Sequence, residues 1–558
     1  LTAQLHDAQG KSVESKTIAW SVTDPAIASV VAAGTVTPVR AGFTSVTATV
    51  DSSSASATIS VRGPVPLPTR SKYVGMNLSG IAYWTTEFPF ADLMKNGSGW
   101  SSRDDSGTWG AAFPSVKDGY PTAFNPSQHA LFAVAWSNVH YAARQYTILW
   151  DGDGDISFPL SKVTIQSSAA HRIVINVTDT SGAIWVGIDR TNPADPVRNV
   201  RFLWPGSEPT YATQPFNLAF LKKVAPFSVL RFMDWGATNG SPVVEWADRS
   251  HVSDVMYANP NGVPLELMID LANTLHVDPW FCVPHQASDD YVRQFATLVH
   301  SRLDPGLHPH IEYSNEVWNT GFAQTTWALG RSAQLGLPAP SGMPSAFYGQ
   351  RSVAIFKIFQ TVYGPADSSR IVRVIAGQAA WTQFLENALS YDDTAANADV
   401  LAVAPYFGAA SAGNPAQVAT TLTLTSDQIV DQMLVNIRSD IKSWMQANAA
   451  LATKYKLTMK AYESGAGDSS SSFPADKQDA MTALFSAAHR NPRMKDVYDE
   501  YFDQWIASGG DTMNQFNDVG GWSKWGLSGS LEYVTQDPAT APKYQGLLDV
   551  IARHPAAP

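Results

Sequence analysis

Cysteine is almost missing: the 558 residues contain one, Cys282. No internal disulfide can form. The residue lies in the apolar run PWFCVPH without an electropositive neighbour, which marks it as buried filler and not as a nucleophile. Charge is also sparse, at 16% Asp, Glu, Lys and Arg, and the net charge is −11 with no Lys/Arg-rich block. The electrostatic footprint of a nucleic-acid binder is therefore absent, an anionic polymer is a poor partner, and a neutral substrate fits better. No apolar run reaches about 18 residues, so no helix that would insert in a membrane is expected. The G-x-S-x-G elbow, the H-E-x-x-H zinc helix, the Walker loop and the G-x-G-x-x-G fingerprint are all missing. The twelve histidines are scattered without metal-ligand spacing, and we expect neither metal nor cofactor.

What remains is a chain that is 44% hydrophobic and too long for one ordinary domain of about 100–200 residues. Residues 1–62 alternate apolar and small polar residues in short runs (TIAWSV, SVTATV, SATISV) separated by turns, the pattern of a small β-sandwich. Residues 63–71 are proline-rich, which favours extended backbone and a semi-rigid linker. From position 72 the texture changes to short apolar runs alternating with helical patterns. Strands are expected at 73–80, 228–235, 278–284, 310–316, 370–377, 399–407, 457–463 and 512–518, with apolar runs as strands buried on both faces require. Helices are expected at PLELMIDLANTLH, DDYVRQFATLVHSRL, SDQIVDQMLVNIRSDIKSWMQ, KQDAMTALFSAAH and KYQGLLDVIARH. Eight strand–helix units over 72–558 predict an α/β chain built as a closed (β/α)8 TIM barrel.

Residues 111–206 interrupt that rhythm with strand-like runs such as YTILWDGDGDISF and AIWVGI, and read as a β-rich insertion after the first barrel strand. The acidic DGDGD at 151–155 lacks the Gly and Glu that an EF-hand loop needs at its sixth and twelfth positions, where Ile156 and Lys162 stand. A hairpin turn is the better reading.

In such a barrel, reactive side chains project from the carboxyl ends of the strands. Glu316, in IEYSNEVWN, ends the fourth expected strand, and Glu463, in KAYESGAG, ends the seventh, so closure brings two carboxylates to one mouth. Such a pair suits glycosidic-bond cleavage, one carboxyl protonated as acid and the other ionised as nucleophile, with separations of about 5–5.5 Å in retaining enzymes and about 6.5–9.5 Å in inverting ones.

An Asn-Glu pair ending strand four, with Glu ending strand seven, resembles the clan A glycoside hydrolases, the superfamily of cellulases, mannanases, xylanases and β-galactosidases, which retain anomeric configuration. The resemblance implies Glu316 as acid/base, Glu463 as nucleophile and Asn315 on the sugar 2-hydroxyl. Arg231 would keep the nucleophile ionised, Tyr406 would hydrogen-bond it, and His285 would touch sugar. Trp522 and Trp525 would offer stacking faces, with Trp235, Trp318 and Trp381 as further platforms. Arg231 has a plainer alternative as an ion-pair partner of Asp234.

The order WSVTDPAIASVVAAGTVTPVRAGFTSVTATV resembles a bacterial Ig-like group 2 domain, implying a spacer or adhesion module on an exported protein. That resemblance gives the expectation of a secreted or cell-surface location; no signal peptide is in the sequence, and the start in mid-pattern at Leu1 is expected to lie after processing or inside a longer protein. The expectation is a hydrolase of β-linked neutral polysaccharide, endo-acting, with β-1,4-glucan first. A carbohydrate-binding or adhesion protein on a degenerate barrel, or a transglycosylase with the same residues, stays open.

Overall fold

The computed structural model describes residues 5, 13, 16–39, 42–51, 53–61, 69–409 and 417–556. Eight strands close into a barrel: β1 Val74–Asn77, β2 Val229–Arg231, β3 Asp278–Val283, β4 His310–Tyr313, β5 Val372–Ala376, β6 Val400–Val403, β7 Thr458–Ala461 and β8 Met513–Gln515. Neighbours pair in parallel all the way round, and β8 closes on β1. Helices separate the strands, among them Leu265–Leu275, Asp289–Arg302, Gln478–His489 and Pro542–Arg553, each where its apolar period predicts. The helix expected after β6 runs further, from Ser426 to Tyr455, through a π-helical segment Ile437–Ile441. At β1 and β8 the barrel is tight: a Cβ on Gly75 would lie 1.9 Å from Asn514 Oδ1, so only glycine fits there.

The strands are shorter at their carboxyl ends than expected, and they are not apolar throughout. Val229, Trp280, Cys282, Val374, Val400 and Ala402 line the barrel interior. The register also turns Asn77, Arg231 and Glu312 inward, and all three are buried. A buried charge is tolerated only when paired, so this polar centre must be internally compensated.

Toward the N-terminus, strands Ala19–Val22, Gly42–Val50 and Ser53–Val61 form an antiparallel sheet, and Ala28–Val30 pairs with Val36–Pro38. This β-rich region is consistent with an Ig-like domain. Positions 63–68 of the proline-rich stretch lie outside the described residues, as do most of residues 1–15.

Between β1 and helix Leu218–Val224 stand two four-stranded antiparallel sheets. One orders 154–157, 184–191, 128–135 and 101–104; the other orders 163–169, 172–177, 145–151 and 198–203. The β-rich segment thus starts at Ser101 and not at residue 111, because Ser101–Asp104 pairs with 128–135. The two chain crossings at its base are bonded to each other: Ala91 N–H donates to Pro215 O at 2.7 Å, Asn217 N–H to Pro89 O at 2.8 Å and Trp204 N–H to Ala91 O at 2.8 Å.

DGDGD is not a hairpin. Asp151 ends a strand of one sheet and Gly154 begins a strand of the other, so the segment carries the chain between sheets. Gly152 makes the step possible at φ +84°, where a Cβ would meet Pro196 O at 2.1 Å. The acids are neutralised by protein: Arg190 donates to Asp153 and Asp155, and Asn199 to Asp151.

Candidate active site

Arg231, the last residue of β2, is fully buried and organises the barrel mouth. Its Nη1 donates to Glu463 Oε1 at 2.7 Å and to Asn77 Oδ1 at 3.1 Å. Its Nη2 reaches Asn315 Oδ1 at 2.8 Å and Glu312 Oε1 at 3.1 Å, while Nε donates to Glu312 Oε2 at 3.0 Å. The partners are therefore Glu312 and Glu463, not Asp234. Such a fork fixes two carboxylates in direction as well as in charge, which a lysine could not do. Glu312 also accepts from Trp280 Nε1 at 2.7 Å; burial pushes its carboxyl up, against the pull of Arg231 and the indole.

Glu463 lies two residues beyond β7, with a side chain 7% exposed. Opposite Arg231 it accepts from Tyr406 Oη at 2.9 Å, so both carboxylate oxygens are held. The Tyr406 loop is zipped to the loop after Glu463: Phe407 N–H donates to Gly465 O at 3.0 Å and Gly467 N–H to Phe407 O at 2.8 Å.

Glu316 lies three residues past β4, in a turn where Ser314 has φ +61° and Glu316 φ +43°. Left-handed backbone at two non-glycine positions is costly and persists where the surroundings impose it, commonly at functional sites. Here Ser314 N–H is fixed to Val283 O at 2.8 Å, and Gln324 Nε2 donates to Asn315 O at 2.8 Å. Glu316 accepts from Tyr462 Oη at 2.9 Å and Asn319 Nδ2 at 2.9 Å. Burial, and then the neighbouring Glu463 charge, push its carboxyl up to about 7. Two carboxyls at one mouth thus meet different surroundings: one is gripped by a cation and a phenol, the other is desolvated and cation-poor.

Asn315 is 2% exposed; its Oδ1 takes the Arg231 bond and its Nδ2 donates to Asn239 Oδ1 at 3.0 Å, leaving the second N–H of that amide. Arg231, Asn315, Glu316, Tyr406 and Glu463 are thus brought together. His285 is buried beyond β3, edge-on to Trp327 at 5.5 Å, and burial lowers its pKa.

The tryptophans divide. Trp235 is 0% exposed, packed against Phe90, Phe220 and Phe232, so it is core and offers no face to a sugar. Trp522 is a packing residue too: Lys543 Nζ stands 4.6 Å and Arg490 Cζ 5.2 Å from its ring, and its indole N–H donates to Gly529 O. Trp318 and Trp381 are half-buried against the main core. Trp525 is 75% exposed.

Missed in the sequence were Glu312, Tyr462, Glu87 and Asp518, and Asp234 was named only as a partner for Arg231. Glu312 carried a signal, since a carboxylate inside a buried strand needs a cation; Tyr462 adjoins Glu463. Burial and the Glu463 charge push Asp234 up to about 7. No group of three or more His, Cys, Asp or Glu side chains able to hold a metal is found among the described residues, and no helix there is long and apolar enough to cross a membrane.

No family model and no curated protein matches the chain. Among solved structures, a bacterial Ig-like domain-containing GH10 xylanase from termite gut is similar over 97% of this chain and 94% of its own, at 8% identity and a TM-score of 0.37. Xylanase 10B from Thermotoga maritima is similar over 60% of this chain and 89% of its own, at 9% identity and a TM-score of 0.33. A GH5-4 broad specificity endoglucanase from Clostridium acetobutylicum covers 62% of this chain and 93% of its own, at 12% identity and a TM-score of 0.31. These neighbours are glycoside hydrolases; the chemistry of this chain is read from its own side chains.

Proposed function

We propose that the protein is a retaining glycoside hydrolase that cleaves a β-linked neutral polysaccharide internally, with β-1,4-glucan the first substrate to try. The observation that carries the reading is the unequal treatment of two carboxyls: Glu463 clamped by Arg231 and Tyr406, Glu316 pushed up to about 7. Protonated Glu316 gives its proton to the leaving glycosidic oxygen as Glu463 attacks the anomeric carbon, forming a glycosyl-enzyme ester. Glu316, now a carboxylate, takes a proton from the water that attacks that carbon and frees Glu463. The remaining N–H of Asn315 suits the sugar 2-hydroxyl, a bond that strengthens as the ring flattens toward the oxocarbenium ion. The N-terminal β-rich region acts as a spacer on an exported protein.

Glu463→Ala is expected to abolish release of reducing ends from a panel of soluble polysaccharides while circular dichroism stays native. NMR of the first product should show the substrate's own anomer. Near-normal turnover by the variant, or an inverted first product, defeats the assignment.

A further inference from the structure

Five aromatic side chains form an unbroken row from the barrel mouth onto the inserted sandwich. Trp84 and Tyr83, in the loop after β1, have ring centroids 4.7 Å apart; Tyr83 and Trp136 are 5.5 Å apart, Trp136 and Trp185 6.1 Å, and Trp185 and Trp109 5.4 Å. Trp84 is 61% exposed, Trp109 43% and Trp136 42%. Single exposed aromatics need no explanation, but a contiguous row of them marks a binding surface. Trp185 lies on the outward side of strand Ile184–Thr191, since Ile184, Val186 and Ile188 on the other side are buried core. Ala133 is directly opposite Trp185 on the neighbouring strand and is buried, so the exposed part of the row is the rings themselves.

We infer that this row is a binding track for a single chain of the neutral polysaccharide, leading along the sandwich into the catalytic cleft; the inference rests on the hydrolase reading for the identity of the polymer. Indole and phenol rings present broad apolar faces to the C–H side of a pyranose. Successive rings are inclined to each other by 50° to 78°, so they cannot lie together on a flat crystalline surface. A soluble chain that twists from unit to unit can follow them. The row begins in the loop after the carboxyl end of β1, the end of the barrel that carries Glu316 and Glu463, and backbone ties it there: Trp136 N–H donates to Tyr83 O at 2.8 Å, and Val534 N–H, in the loop after β8, donates to Thr86 O at 3.0 Å. At the far end Arg103 Cζ stands 5.8 Å from the Trp109 ring, a donor for sugar hydroxyls. A net charge of −11 argues against a polyanion on the same surface.

The test uses the full chain carrying Glu463→Gln, run in native gels containing hydroxyethyl cellulose, xylan or galactomannan. At least one polymer should retard it. Adding Trp109→Ala and Trp136→Ala should weaken that retardation about fivefold or more, and Trp136→Phe should keep most of it, at unchanged melting temperature. With Glu463 intact, the double alanine change should raise KM for the polymer and leave kcat in place. Equal retardation of parent and double variant, or no retardation of the parent by any polymer, overturns the track. Retardation that depends on the tryptophans without reducing-end release keeps the track and removes the hydrolase reading; turnover indifferent to the tryptophans does the reverse.

Discussion

Arg231 and Glu87 are both fully buried near the carboxyl ends of neighbouring barrel strands, yet only Arg231 has counter-charges. Around Arg231 two glutamates and two amides share one guanidinium. Glu87 has no cation beside it among the described residues; its carboxyl neighbours that of Asp518 and the backbone N–H of Ser79, which donates to Asp518 Oδ1 at 3.0 Å. Two carboxyls can touch only by sharing a proton. Burial raises both, Asp518 up to about 6 and Glu87 well above the usual range. One cluster therefore has a guanidinium set against its carboxyls, while the other has carboxyls alone and changes charge close to Glu316 and Glu463. A buried carboxyl can be matched by a cation or by a second carboxyl, and this mouth contains both kinds.

The largest way to break the contrast is Arg231→Ala. It strands Glu312 and Glu463 without a cation, which should cost about 3–5 kcal/mol in chemical denaturation and remove activity by orders of magnitude. Arg231→Lys restores the charge but not the fork, and should recover stability more than turnover.

Glu87→Gln tests the other cluster. A carboxyl raised on folding adds stability below its unfolded pKa and loses it as pH climbs through the folded value. For Asp518 that window runs from 3.8 to about 6, so the native protein should melt lower at pH 8 than at pH 5. Glutamine can donate to Asp518 at any pH, so the drop should shrink by about 1–3 kcal/mol in the variant. An unchanged drop would mean the proton is not shared.

The smallest effect sharpens the acid/base. Glu316 must be protonated to act as acid, so kcat/KM should fall as pH rises through about 7. Tyr462→Phe removes a hydrogen bond that favours the carboxylate, so the alkaline limb should move up by about half a pH unit.

The eight strands and the meeting of Glu316 with Glu463 were legible because barrel closure follows from counting and the two glutamates stand at strand ends; Asn315, Arg231 and Tyr406 were named only through the family resemblance. Trp235 misled because β2 stops at Arg231, four residues early, and a turn in which Gly236 N–H bonds Phe232 O tucks the indole inward. Glu312 was passed over although a carboxylate inside a buried strand needs a cation, because inward and outward positions look alike when both faces are buried. DGDGD has the local chemistry of a hairpin turn, and only pairing with strands far along the chain shows that its two flanks belong to different sheets. The Trp109–Trp185 neighbours are likewise remote in sequence, joined by sheet register that no local period encodes.

The paired crossings at the base of the sandwich, near Ala91 and Pro215, have a practical consequence. A module hung on one flexible string can be cut off or swapped, and helps only by staying nearby. This one is spliced into the barrel by two adjacent strings, so no terminal truncation removes it and its heading is inherited from the scaffold. Shortening the protein for use would mean joining Pro89 directly to Asn217, and heat should take both parts apart in one step.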